Sequence, residues 1–515
     1  MAAHGPGVRL VCVVTAAALL VPLAPRAAAP VRGLTDASRL ARILDLTYDA
    51  DVAGAEAELA RACGPAPAVA CDVLRAVLLW WRIYPDVENR SRDQVFTAAA
   101  ATAIDRAERW TAREPERAEA WFYLGAAYGA RVQYRSWRKE YLAGARDGKR
   151  VKVALERALQ LDPAMHDANF GIGLYQYYAD IAPAILKMFR WLFALPGGNR
   201  VQGMQRMLQT RSAGTLMRSE AAYQLYLIDI WYEHRGDRAR TYLEELRARY
   251  PHNPLFLLNL AQLDEVYRND RPAALAAYGA LVGGAQSGGL REPALAETWG
   301  RRGVAAQLDA LAETDRAIDE LRTVIAKRPS APLGVAALTW LDLGRAFDRL
   351  GDRTRAVDAY RAALAAVPSG DPDGVRARVE AGLRQKPDPV RAEAYRLSID
   401  GWRALERQAV AEAGRAIERS LQLAPADGVT WYRRGRWHLA AGDRQAALAD
   451  FERALQLRPR PPAPFIARSH LEAGHLQLAA GRRDQAAAHY DNAVRVVGAD
   501  PKTRAAAVRA RADVR

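Results

Sequence analysis

Residues 427–459 read DGVTWYRRGRWHLAAGDRQAALADFERALQLRP, and the fold turns on how this stretch is read. Small side chains, Gly435, Ala447 and Ala454, recur where two helices must approach, and Trp431, Leu448, Phe451 and Leu455 are large enough to fill the space beside them. Gly442-Asp443 supplies a tight turn and Pro459 stops the second helix. The spacing therefore predicts two short antiparallel helices with nothing left over.

This pattern resembles the tetratricopeptide repeat, a helical hairpin with a period of about 34 residues. Working outward, Trp340, Gly344, Phe347, Gly351-Asp352, Ala356, Tyr360 and Pro368 mark a second regular unit. Gly401, Ala413, Ile417 and Pro425 mark another, as do Gly474, Gly481, Ala486 and Tyr490. Trp121, Gly125, Leu155, Ala158 and Pro163 match as well, but Trp121 lies 42 positions before its proline, against 28 for Trp431. Fourteen extra residues amount to about two turns on each helix. Residues 167–212, 219–251, 254–282 and the unit around Trp299 and Pro329 are weaker copies. The resemblance covers most of residues 117–498, and the block Trp121–Gly198 further resembles exported bacterial members of the family. It implies an all-α fold, a right-handed superhelical solenoid of helical hairpins in one or two arrays, and a non-enzymatic scaffold that binds a protein or peptide.

Composition agrees with helices. Half of the 515 residues are hydrophobic, 26% are charged, and alanine recurs throughout. The 74 lysines and arginines against 59 acids give +15, nearly all of it arginine. Such a balance suits an acidic partner or an anionic lipid surface as well as solvated helix faces.

Arg9 precedes an apolar run from Leu10 to Leu23, and Ala27-Ala28-Ala29 offers a cleavage site. Residues 1–29 thus read as a secretory leader whose removal, with Arg9 and Arg26, leaves +13. Export to the periplasm or beyond, in a bacterial envelope, is the expectation. It argues against nucleic acid as a partner, and no aromatic-basic RNA-binding sheet is legible. In an oxidising compartment Cys63 and Cys71, flanking Gly64-Pro65-Ala66-Pro67, are candidates for a disulfide.

Further boundaries follow from composition. Residues 30–116 form an N-terminal helical region, whose third helix, with Trp80 and Trp81, reads as the packing edge of the solenoid. Residues 117–282 form a repeat array with long inserts, and 283–293, opening on Gly283-Gly284, a flexible linker. Repeats resume over 294–368 and 390–498, separated by a loop at 369–389, and 499–515 is a basic tail or cap.

No catalytic, cofactor or metal motif is legible. Gly171-Ile172-Gly173 lacks the third glycine of a dinucleotide site, and His470 and His475 are five apart, on different faces of a helix. Three binding surfaces are candidates. Arg131, Tyr134, Arg135, Trp137 and Arg138 have the guanidinium and ring density that suits acidic or aromatic segments, and equally the makings of an extended helix whose arginines pair with neighbouring carboxylates. The apolar insert 181–195, with Ile185, Phe189, Trp191, Leu192 and Phe193 around Lys187 and Arg190, suits a membrane interface or burial against its own solenoid. By the family's register, Leu341, Arg345, Asp348, Arg349, Tyr432 and Arg436 face the groove lined by first helices.

Overall fold

A computed structural model of the chain describes residues 32–181 and 197–514. Among these there are 24 α-helices and no strand. The expected leader, residues 1–29, and the insert residues Ile185, Phe189, Trp191, Leu192 and Phe193 lie outside the described residues. No helix among the described residues is long and apolar enough to cross a membrane.

The repeat at 427–459 is the predicted hairpin. Helices Gly428–Ala440 and Arg444–Gln456 meet at a turn in which Gly442 takes φ +86° and Asp443 caps the second helix through Ala446 N. A left-handed turn residue without Cβ followed by a capping carboxylate is the physical content of Gly-Asp at this point, and Gly351-Asp352 repeats it. Trp431 donates its indole N–H to Pro425 O at 2.8 Å, and Trp121 does the same to Pro115 O.

One register runs through the array. A Cβ on Gly435 would stand 2.6 Å from the Phe451 ring, sixteen positions on. Gly344 faces Tyr360, Gly401 faces Ile417 and Gly474 faces Tyr490 at the same offset and the same closeness. In the long unit Gly125 faces Leu155, so the offset grows by the fourteen inserted residues while the contact is kept. Its helices, Ala118–Trp137 and Tyr141–Leu161, are each about two turns longer than those of the 427–459 unit.

Nine hairpins stack among the described residues. Ala118–Trp137 with Tyr141–Leu161, Ala168–Ile181 with Arg200–Ala213, Arg218–Trp231 with Gly236–Arg249, and Pro254–Gln262 with Arg271–Gln286 form the first four. Pro293–Ala310 with Thr314–Lys327, Val335–Arg349 with Arg353–Ala365, Pro389–Glu406 with Val410–Leu423, the 427–459 unit, and Ala463–Ala479 with Arg483–Arg495 complete them. Helix Pro501–Asp513 covers the last hairpin, joined to it by Arg511 and Asp491 at 3.0 Å.

Three boundaries differ from the sequence reading. Gly283-Gly284 do not open a linker: the helix Arg271–Gln286 runs through them, and Gly284 lies against the Leu290 side chain. Glycine there permits close packing rather than a break. Within the predicted loop 369–389, helix Val375–Arg384 forms and buries Val375 and Val379, an apolar pair that its proline- and glycine-rich flanks obscure. The third difference, in the N-terminal region, bears on the binding surface.

Candidate interaction surface

The N-terminal helices Ala37–Tyr48, Val52–Ala62 and Ala68–Ile83 do not stack as an edge; they lie across the first helices of successive hairpins. Thr35 bonds the Glu119 carboxylate through its backbone N–H at 2.7 Å and its hydroxyl at 2.9 Å. Tyr48 donates to Glu220 at 3.2 Å, and its carbonyl accepts from Asn253 at 2.6 Å. Asp45 takes Tyr250 and Arg249, and Asp51 pairs with Arg291 at 2.9 Å. Asp86 reaches Leu333 N at 2.8 Å. These partners begin or precede the first helices of five hairpins, so the segment runs along the starts of the first helices from residue 119 to residue 333.

Aromatic packing fills the space between. Trp80 stacks on Trp137 at 4.9 Å, Trp81 meets Tyr223 at 5.4 Å and Tyr48 meets Tyr250 at 5.5 Å, while Tyr84 shares a hydroxyl hydrogen bond with Tyr223. Beneath them Glu220 is buried. Burial pushes its carboxyl above the ordinary value, opposed by hydrogen bonds from Gln224, Gln133 and Tyr48. The disulfide Cys63–Cys71, with Cα atoms 5.8 Å apart, joins the second and third N-terminal helices across the turn they flank.

The arginine and aromatic cluster of the long unit is turned inward. Asp147, fully buried, receives Arg131 through two bonds at 2.7 and 2.9 Å and Arg135 at 2.6 Å. Arg138 clamps Asp93 at 2.7 and 2.6 Å and also donates to Val87 O. Tyr134 packs on Phe96 at 4.6 Å, and Trp137 on Trp80. Of the two readings of this cluster the structure shows the paired one: in place of a partner-binding surface it is an internal pin that holds the two extended helices to each other and to the N-terminal region. Sequence spacing exposed the charges but not the carboxylates, which stand 12 to 45 positions away.

In the second half of the array the groove takes a turn of the chain itself. Residues 310–316 enter between helices Pro389–Glu406 and Gly428–Ala440. Ala312 O accepts from Arg433 at 2.7 Å, Thr314 meets the Tyr395 hydroxyl at 2.8 Å, and Glu313 and Asp315 hold Arg403 at 2.9 and 2.7 Å. Arg433, 1% exposed, also donates to Ser398, and burial pushes its guanidinium below the ordinary value.

The groove candidates separate accordingly. Leu341 and Tyr432 are buried, so neither offers a side chain to a partner. Asp348 accepts from Arg353 and Tyr360 within its own unit, and Arg349 pairs with Asp309 at 3.0 Å. Arg345 is exposed. Arg436 pairs with Glu472 at 3.1 Å yet keeps 41% of its side chain exposed. Arg468, also 41% exposed, lies on the next first helix, held by Asp500 at 3.1 Å, and both cations act on the buried Tyr432 between them. His475, exposed beside Glu472, lies on the same helix, so the last two hairpins carry two half-exposed guanidinium groups. Register had singled out Arg436; Arg468 was missed, because the spacing from Gly435 to Gly474 puts His475, not Arg468, at the corresponding place.

Residues 429–461 and 339–369 each match a family model described as tetratricopeptide repeat. Among solved structures, a tetratricopeptide repeat protein from Parabacteroides merdae aligns over 57% of this chain and 98% of its own, at 16% identity and a TM-score of 0.26. The TPR2AB domain of yeast Sti1 in complex with pHSP90 covers 51% and 98%, at 16% identity and 0.21. Human IFIT1, solved as a dimer with m7Gppp-AAAA, covers 83% and 96%, at 16% identity and 0.32. No curated protein matches the sequence.

Proposed function

Because the chain carries tetratricopeptide repeats, and is in that respect a protein-interaction scaffold, we propose that it works in the cell envelope, holding an acidic segment of a partner protein at the open end of its groove. The observation that carries the reading is the contrast along that groove. Helices 37–83 and the turn 310–316 occupy its earlier stretches, whereas Arg436, Arg468 and His475 remain open over the last two hairpins. Guanidinium groups whose own carboxylate partners leave them half exposed can exchange or share those partners with a carboxylate of a bound chain. The aromatic floor of Tyr432 beneath them excludes water from one side. The leader at 1–29 and the disulfide Cys63–Cys71 support export.

The test is crosslinking in the native envelope followed by mass spectrometry, comparing the wild type with an Arg436→Glu/Arg468→Glu double variant. Crosslinks to a partner through residues 428–479 are expected, and their loss in the variant while the circular dichroism spectrum is retained. Partner capture that persists undiminished in the variant overturns the assignment.

A further inference from the structure

Two histidines face each other across the last hairpin. His470 on helix Ala463–Ala479 and His489 on helix Arg483–Arg495 bring their Nδ1 atoms to 3.1 Å and their ring centroids to 5.3 Å. A hydrogen bond between them requires one Nδ1 to carry a proton and the other to offer its lone pair. Both rings are half-buried, so water replaces only part of what a broken pair loses. The hairpin they join also closes the array. Gly498, at φ +81° just after helix Arg483–Arg495, lies so close to the fourth hairpin that a Cβ there would stand 2.8 Å from Asn269 O. Asn269 belongs to the turn before helix Arg271–Gln286, so the two ends of this contact are separated by five hairpins of chain.

We propose that His470 and His489 form an acid-sensitive latch, whose double protonation opens the last hairpin and draws Gly498 away from Asn269. A second proton sets N–H against N–H, so the hydrogen bond is lost and two like charges face each other. The charges around the pair do not cancel this. Glu452, on the neighbouring helix Arg444–Gln456, favours the charged form of His489, but it also accepts from Gln477 at 3.2 Å. From the covering helix Pro501–Asp513, Arg511 pairs with Asp491 and Asp513 acts on Tyr490, while His475 on the helix of His470 lies beside Glu472. Burial, and after it the neighbouring imidazole, pushes His470 down to about 4, and burial lowers His489 as well. Both rings thus titrate lower in the folded state than the ordinary 6.5, so their contribution is present above that value and is lost as pH falls toward 4. Opening also parts Arg468 from Arg436, a consequence that rests on the groove reading; the latch itself does not.

Amide exchange of the full chain at about pH 7 and about pH 5, corrected for the intrinsic effect of pH on exchange, tests the latch without any partner. Exchange in residues 463–495 quickens roughly tenfold or more on acidification, the size set by a histidine that gives up its proton affinity on folding. Residues 263–270 follow, while helices 37–83 keep their protection. His470→Gln/His489→Gln, whose two amides can still bond each other, abolishes the acid response, and His489→Gln alone, which leaves a single titrating ring, reduces it. Circular dichroism at neutral pH verifies the fold of each variant, and if the double variant has lost helix the single one decides. Wild-type exchange in 463–495 that ignores pH, an undiminished acid response in the folded variant, or a simultaneous loss of protection along the whole chain overturns the proposal.

Discussion

Gly435→Ala tests the helix contact on which every hairpin is built. The added Cβ would stand 2.6 Å from Phe451 Cε1, 2.8 Å from Cδ1 and 2.9 Å from Cζ, where ordinary contact begins at 3.4 Å. The ring would have to retreat by roughly 0.8 Å. It has nowhere to go, because Phe451, Ala447 and Ala454 are each 0% exposed and Tyr432 lies 5.8 Å away. Overpacking in such a core costs about 1–3 kcal/mol, here the upper end, and replacing glycine within a helix returns about 1. The net expectation is a loss of about 2 kcal/mol. Gly129→Ala is the control, since that helical position has nothing within 4 Å of its added Cβ; it should gain about 1 kcal/mol. Urea unfolding followed by far-ultraviolet circular dichroism reads both, with amide exchange in residues 428–456 reporting the local effect. In a Phe451→Leu background the penalty at Gly435 should shrink by more than half. A Gly435→Ala protein that unfolds at or above the wild-type midpoint would refute the close approach.

Asp147→Ala removes the buried partner of Arg131 and Arg135 and should cost about 3–5 kcal/mol in guanidinium unfolding, whereas a change below 1 would return those arginines to the surface. Reduction of Cys63–Cys71, eight positions apart, should lower stability by about 2–3 kcal/mol, read as a shift between oxidised and reduced denaturation midpoints. Glu220 titrates higher in the folded state than in the unfolded one, so the folded protein holds the extra proton and the group's contribution declines as pH rises above the ordinary carboxyl value of 4.5. Glu220→Gln should therefore gain on the wild type between acid and neutral pH in urea midpoints; a constant difference across that range would deny the shift.

The repeat itself was legible because its constraints are local. Gly435 and Phe451, or Gly344 and Tyr360, sit sixteen positions apart in one hairpin, and a small residue opposite a ring leaves a mark in the sequence. Even the fourteen-residue extension could be counted before its helices were seen. What was hidden depends on distant pairs. Nothing near Arg131 announces Asp147, and nothing near Trp80 announces Trp137, so the sequence left open whether the cluster is pinned or exposed. Gly283-Gly284 read as a linker for a related reason. Glycine lowers helix propensity, yet packing against Leu290 decides the outcome there. The groove positions were named by register alone, and register does not reveal that residues 310–316 fill part of that groove.

Solenoids commonly grow by duplicating a unit, because each repeat touches only its neighbours. Helices 37–83 deny this chain that freedom over its first half. They reach from Glu119 to Leu333 as a tie of fixed length, so a hairpin inserted between those points would draw Asp51 away from Arg291 or Asp86 away from Leu333. The turn 310–316, held by Arg403 and Arg433, and Gly498, close to Asn269 O, extend the same restraint through the later hairpins, so a unit can be added without breaking a contact only at the C-terminal end.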